Sequence, residues 1–263
     1  MKVGVIGAGV MGEALITALI SYGVIPQEIT ISEKRHDRAN ELKARYGISV
    51  EELSVNVASS EILLLVVKPQ DMTAVLSEIR TEMKPSTTVV SFAAGKKIDF
   101  ISTGLGGNSP VIRVMPNTPT LVGAGMAAFS VGAGVSTSHK EFVSGFLAAT
   151  GKVVEIAEEL QDAVTATSGS GPAYFFAFVE AMIDGAVALG LSKEVATQLT
   201  VQTFIGSAKL LQESGKSATT LRENVTSPNG TTAAALETLS AKDLSHVVAN
   251  AMKSARNRSI ELA

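Results

Sequence analysis

The sequence contains no cysteine, which excludes a thiolate nucleophile, a disulfide framework, an iron–sulfur cluster and any Cys-based zinc site together. Histidine is scarce as well. His36, His139 and His246 stand far apart, in neither the HxH nor the HxxxH spacing that sets two imidazoles on one metal. No GxSxG elbow occurs. Charge of one sign is also lacking. The 22 Lys and Arg against 25 Asp and Glu leave a net −3, so there is no basic surplus to neutralise a phosphate backbone, and no nucleic-acid partner is expected. Neither apolar stretch reads as membrane-directed. In MKVGVIGAGVMGEALITALI, Glu13 and the glycines at 4, 7, 9 and 12 break the run that an export signal needs. Ala173 to Leu191 carries Glu180 and Asp184 one helical turn apart, which lipid disfavours, and reads as a buried helix of a soluble bundle. The expectation is a cytoplasmic protein without a membrane partner.

What is present is a composition able to fold: 263 residues, 46% hydrophobic and 18% charged, a length that favours two domains over one. The chain changes character near its middle. Short β-branched runs, Lys2 to Ile6, Glu28 to Ser32, Ile62 to Val67, Thr88 to Phe92, Val111 to Val114, Met126 to Phe129 and Lys152 to Ile156, alternate with amphipathic stretches. That alternation predicts a doubly wound α/β domain over 1–158, its parallel sheet covered on both faces. Residues 159–263 show no strand signal. There Pro172 opens an apolar helix ending at Gly190, Ser192 can cap a second ending near Gly215, and a last helix runs from about Lys242. Gly185 inside the first of these suggests a close helix contact, as at an interface.

Gly7-Ala8-Gly9-Val10-Met11-Gly12 fits GxGxxG between an N-terminal apolar strand and an amphipathic helix. In that setting Gly7 permits the tight turn, Gly9 lets a pyrophosphate approach the backbone, Gly12 lets helix and strand pack closely, and the helix N-terminus attracts phosphate charge. Ile6 through Gly12 are therefore candidate dinucleotide contacts. At the end of the second strand an NAD site usually carries an acid for the ribose hydroxyls. Ser32 stands there, followed by Glu33, Lys34 and Arg35. A small hydroxyl with nearby cations suits a 2′-phosphate, hence NADPH. Glu33 dissents, because if it faces the ribose the preference weakens or reverses. The plain alternative for Lys34 and Arg35 is solvated charge.

Ligands of open α/β sheets bind outside the carboxyl ends of the strands, where three unusual segments fall: Val67-Lys68-Pro69, Ala93-Ala94-Gly95 and Pro116-Asn117-Thr118. Lys68 can lie beside cofactor or substrate carboxylate, or be an ordinary solvated strand-end lysine. Ala93 and Ala94 leave room for a flat ring, or simply form a turn. Asn117 can bond a carboxamide, or serve a turn. In the helical half, Ser227-Pro228-Asn229-Gly230-Thr231-Thr232 leads into a helix former. Its free N–H groups and hydroxyls suit a small carboxylate, but helix capping uses the same residues. No strong general base is evident, and reduction of a protonated C=N bond needs little acid–base help.

Taken together, the fingerprint, VVKPQ, FAAG, RVMPNTP, Ala166–Tyr174 (ATSGSGPAY), EAMIDGAVALGL, Gln202-Thr203 and LRENVTSPNGTT closely resemble the Δ1-pyrroline-5-carboxylate reductase family, in order along the whole chain. The resemblance implies a Rossmann-type N-terminal domain, an all-α C-terminal dimerisation domain, and NADPH-dependent reduction of the cyclic imine to L-proline, the last step of proline biosynthesis; NADH is a possible second cofactor. It implies that Lys68 lies near cofactor and substrate, and that Ser227, Asn229, Gly230, Thr231 and Thr232 form the substrate loop, with Thr232 bonding or protonating the ring nitrogen. It also implies homodimers, with the site between one chain's Rossmann domain and its partner's helices, and decamers of five dimers. Two departures stand out. Asn229-Gly230 replaces the family's usual Gly-Gly, tolerable because Asn adopts left-handed backbone angles. Leu53 stands where the family often has Asn, and Asn56 is displaced, so no adenine-side contact is assigned. A related imine reductase or β-hydroxyacid dehydrogenase, and a non-catalytic NADPH-binding sensor, are the rival readings; for the dehydrogenase, Lys193, Lys209 and Lys216 lack the expected glycine and asparagine pattern.

Overall fold

The computed structural model describes residues 1–262. Strands β1 (Val3–Ile6), β2 (Ile29–Ser32), β3 (Ser49–Val50), β4 (Ile62–Leu65), β5 (Thr88–Ser91), β6 (Val111–Met115), β7 (Gly125–Val131) and β8 (Gly151–Glu155) form one sheet in the order β3-β2-β1-β4-β5-β6-β7-β8. Between them run α1 (Val10–Tyr22), α2 (His36–Tyr46), α3 (Leu53–Ser59), α4 (Met72–Ile79), α5 (Ile98–Gly104) and α6 (Thr137–Ala148). The sheet is not wholly parallel as expected: β7 runs antiparallel to β6. The connection explains this, because only the short turn Thr118–Val122 joins the two strands, too little chain for a crossover. The short β3 was not anticipated either, having only two residues to signal itself.

Successive strand residues face opposite sides, and the two faces carry separate cores. Ile62 and Leu64 pack with Leu15, Ile16 and Phe146 on one side; Leu63 and Leu65 pack with Met72, Leu76 and Ile101 on the other. A strand buried on both faces has to be apolar at every position, which is why β4 reads ILLL. Strand order reverses at β1, which pairs with β2 on one side and β4 on the other, so a crevice opens at their carboxyl ends.

The chain divides into two compact units, Met1–Ser170 with the segment from Ala255, and Gly171–Ser254. By their contacts, residues 159–170 pack with the first unit. In the first unit, α7 (Gln161–Val164) continues as a π turn, Thr165–Gly169. Buried Arg113 meets Asp162 at 3.3 Å, and Ser259 donates to the same carboxylate at 2.7 Å, which ties the returning segment down. The second unit contains α8 (Gly171–Ala188), α9 (Lys193–Glu213), α10 (Ala218–Asn224), α11 (Thr231–Ala241) and most of α12 (Leu244–Glu261). The Ser192 hydroxyl accepts from Val195 N–H and caps α9 as expected; α10, capped by Ser217, was not foreseen. Phe175 and Phe178 of α8 meet Phe204 of α9 edge-on, at 5.1 and 5.9 Å between centroids. The expectation that α8 is buried fails for the single chain, since none of its residues is. Among the described residues no helix is long and apolar enough to cross a membrane.

Candidate active site

The β1–α1 turn is built as its glycines require. Gly7 has φ +87°, and a Cβ there would stand 2.7 Å from Val66 O. A Cβ on Gly12 would stand 2.4 Å from Gly7 O, so a side chain would wedge helix from strand. At Gly9 nothing lies within 4 Å of the Cβ position, which leaves backbone open to a ligand. Gly9 borders a groove of about 710 Å³ at the β1/β4 reversal, lined also by Ile6, Gly7, Val67, Lys68 and the segment 32–36. Open backbone at a helix start, a groove beside it and nearby cations fit a dinucleotide.

The structure brings Ile6, Gly7, Gly9, Ser32, Lys34, Arg35, Val67 and Lys68 to this groove. Lys68 ends the β4 segment ahead of the turn Pro69–Asp71 and is exposed, with no carboxylate within ion-pair range among the described residues. Ala8, Gly12 and Ala93 are buried and shape the site from behind, Val10 is exposed, and Met11 packs on the core. Ala94, partly buried, precedes Gly95, where φ is +77° and a Cβ would meet Ser259 O at 2.6 Å. The FAAG turn therefore also seats the end of α12. Asn117 does not line the groove. Its Oδ1 accepts from Met126 N–H at 2.8 Å, closing the turn between β6 and β7, so the turn reading holds for its carbonyl.

Three features escaped the sequence reading. Asn56 is fully buried and donates to Ser32 Oγ at 3.0 Å; Gly4 makes its room, since a Cβ there would stand 2.5 Å from Asn56 Oδ1. Glu33 turns its carboxylate onto the fingerprint, accepting from Ala8 N–H at 2.9 Å. Arg38 of α2 donates to Ala8 O at 3.2 Å, so both backbone polar groups of Ala8 are held. Behind it, Glu13 of α1 accepts from Arg38, Arg45 and Tyr46. Burial alone would push the Glu13 carboxyl up, but these donors hold it below the usual carboxylate range. For Glu33, burial is likewise outweighed by the Ala8 and Arg35 amides and the Arg35 side chain. Position in sequence signals none of these contacts; only the short charged run after β2 marks the neighbourhood.

In the second unit, Asn229 adopts φ +58°, the left-handed conformation expected of it. Gly230 follows as N-cap of α11, its N–H bonded to Ser227 O at 3.1 Å and its Cβ position 2.4 Å from Ser227 Oγ. No side chain caps α11. The capping alternative therefore fails, and the leading N–H groups of α11 stay available beside Thr231, exposed, and Thr232, half-buried.

Residues 158–262 match the family model for pyrroline-5-carboxylate reductase dimerisation, and residues 2–95 match that for NADP oxidoreductase, coenzyme F420-dependent. Pyrroline-5-carboxylate reductase of Corynebacterium melassecola is 40% identical over 264 residues, covering 99% of this chain and 98% of its own. The Arabidopsis thaliana protein of that name is 36% identical, covering 100% and 95%. Among solved structures, a pyrroline-5-carboxylate reductase from Coxiella burnetii superposes with TM-score 0.91 at 32% identity, over 100% of this chain and 98% of that one. A Plasmodium falciparum pyrroline carboxylate reductase with NADP bound gives 0.89 at 29%, with the same coverage.

Proposed function

We propose, for a chain that belongs to the pyrroline-5-carboxylate reductase family, that it reduces 1-pyrroline-5-carboxylate to L-proline with NADPH. The observation that carries this reading is the pairing of an open fingerprint groove with an uncapped α11 preceded by SPNG. When bound, NADPH supplies the hydride for the imine carbon. The backbone from Ile6 to Gly12 receives its pyrophosphate, Lys34 and Arg35 receive its 2′-phosphate, and Val67, Pro69, Ala93 and Ala94 border the remainder. Asn117 keeps one amide group, its Nδ2, for such a role. Lys68 offers positive charge at the groove to the substrate carboxylate or the cofactor.

The N–H groups at the start of α11 fix the substrate carboxylate, helped by the Ser227 and Thr231 hydroxyls, while Asn229 and Gly230 hold the loop's shape. Thr232 presents its hydroxyl to the ring nitrogen, donating a hydrogen bond or passing a proton. Orientation of two bound reactants can supply about 7–11 kcal/mol of barrier reduction, and a single positioned proton donor about a hundredfold to ten-thousandfold. Residues 1–158 serve cofactor binding and 159–263 serve substrate and dimer contacts. The protein works as a homodimer; assembly of five dimers into a decamer and residence in the cytoplasm belong to the same reading.

The test is NADPH oxidation with pyrroline-5-carboxylate, beside a panel of 3-hydroxyacids with NADP. Turnover of the imine alone is expected. Turnover of a hydroxyacid alone would assign the chain to the dehydrogenase reading, and binding without turnover of either would leave a sensor.

A further inference from the structure

Ser32 and Glu33 both reach the mouth of the cofactor groove, but they are not equally free. The Ser32 hydroxyl donates its one proton to Glu51 O at 3.0 Å and accepts from Asn56 Nδ2 at 3.0 Å. It has no proton left for a phosphate oxygen. Glu33 follows it immediately, with its side chain 10% exposed. One carboxylate oxygen accepts from Ala8 N–H at 2.9 Å; the other accepts from Arg35 N–H at 3.1 Å and Arg35 Nε at 3.3 Å. Three donors thus fix a carboxylate over the glycine turn, where the adenosine ribose of a dinucleotide belongs.

A carboxylate is acceptor-only with about four lone-pair sites; with three taken here, one remains on the oxygen that faces Ala8 to accept from a ribose hydroxyl, while the charge can only repel a 2′-phosphate. The opposing cations are weaker than their number suggests. Arg35 is 59% exposed and already paired with Glu33. Lys34 is exposed and without a carboxylate partner among the described residues.

Resting on the cofactor reading above, we propose that Glu33, and not Ser32, reads the ribose, and that it admits NADH in competition with NADPH. Ser32 then acts indirectly, as a half-buried link between Asn56 and the 51 carbonyl. Glu33 is a specificity-determining residue held by the loop it serves.

The test is equilibrium binding without substrate, by fluorescence titration of NADH and NADPH on the intact dimer. Wild type is expected to bind NADH within about tenfold of NADPH; a larger gap in favour of NADPH overturns the proposal. Glu33→Gln keeps the shape and a carbonyl for Ala8 N–H but removes the charge. It is expected to tighten NADPH and weaken NADH, shifting the ratio of their Kd values by about tenfold or more, the scale of one charge-assisted hydrogen bond. Equal changes for both cofactors would make Glu33 a loop support only. Lys34→Ala, which breaks no bond in the loop, should weaken NADPH alone, and loss of NADH binding there would also overturn the assignment. Because no imine is present, failure here is separate from failure of the reductase reading, which shows as absent turnover in wild type.

Discussion

In Met1–Ser170 the apolar side chains close on one another, and Leu15, Leu63, Leu64 and Phe146 are fully removed from solvent. In Gly171–Ser254 only Ala196 and Thr200 are buried, while Phe176, Ile205, Val247 and Leu189 stand 58, 56, 59 and 89% exposed. The first unit can supply its own folding free energy; the second has the surface of a core cut in half. Gly185 fits the same division: beyond its own helical turn, no described residue comes within 4 Å of its Cβ position, so a close contact there calls for another chain. The SPNG turn and α11 lie in this second unit. Their geometry therefore depends on pairing, whereas the fingerprint's does not.

The most severe way to break the contrast is to charge the exposed face. Phe176→Asp with Ile205→Asp costs little in a lone chain but would bury two carboxylates from each chain in a dimer, at about several kcal/mol. Sedimentation should show monomers, with turnover lost and NADPH binding kept within a few-fold. An active monomer would mean that the second unit holds the substrate loop by itself. Next in size, Thr232→Val should lower kcat by about a hundredfold or more and leave the Kd for NADPH unchanged. Undiminished turnover would remove Thr232 from proton delivery.

Sequence pattern carries far into the first unit because strands buried on both faces and glycines at obligatory turns each leave a local mark: VGVI before GAGVMG, ILLL before VVKP. The antiparallel β7 left none, since its alternation is that of any buried strand and only the short turn before it sets direction. Local backbone geometry was readable, as at Gly9 and Asn229; contacts between side chains were less so. They were unreadable where side chains meet across elements: Asn56 reaches Ser32 from α3 and Glu33 reaches Ala8 from the turn after β2. For the second unit, α8 and α9 were legible from Pro172, Gly190 and Ser192, yet their exposure was not, because an interface and a core have the same composition.

Two glycines sharpen the comparison more gently. Gly12→Ala puts a Cβ 2.4 Å from backbone Gly7 O, an overpacking inside one chain that should cost about 1–3 kcal/mol and weaken NADPH binding. Gly185→Ala meets no described residue beyond its own helical turn and gains about 1 kcal/mol of helix propensity, so its damage should fall on association. Urea midpoints are expected to drop for Gly12→Ala at any protein concentration. For Gly185→Ala the drop should be largest where the dimer is populated and shrink on dilution, as wild type itself dissociates. If Gly185→Ala is stabilising at every concentration, the α8 face around it lies outside the interface.

The smallest effect concerns acid stability within the first unit. Glu13 on α1 is held below its ordinary carboxylate range because Arg38, Arg45 and Tyr46 outweigh the burial that would push it up. In the unfolded chain the carboxyl titrates near 4.3. A group depressed on folding stabilises fully above that unfolded value and loses its contribution as pH falls through the folded one. Glu13→Gln should therefore be less stable than wild type near pH 6, and the difference should shrink between about pH 5 and 3. The slope will not vanish, since Glu33 is depressed in the same direction and remains. Urea midpoints across that range, at two protein concentrations, measure it. The Glu13 effect belongs to one chain and should be the same at both, unlike that of Gly185→Ala; a variant with the wild-type pH slope would show that the α1–α2 clamp contributes no net stability.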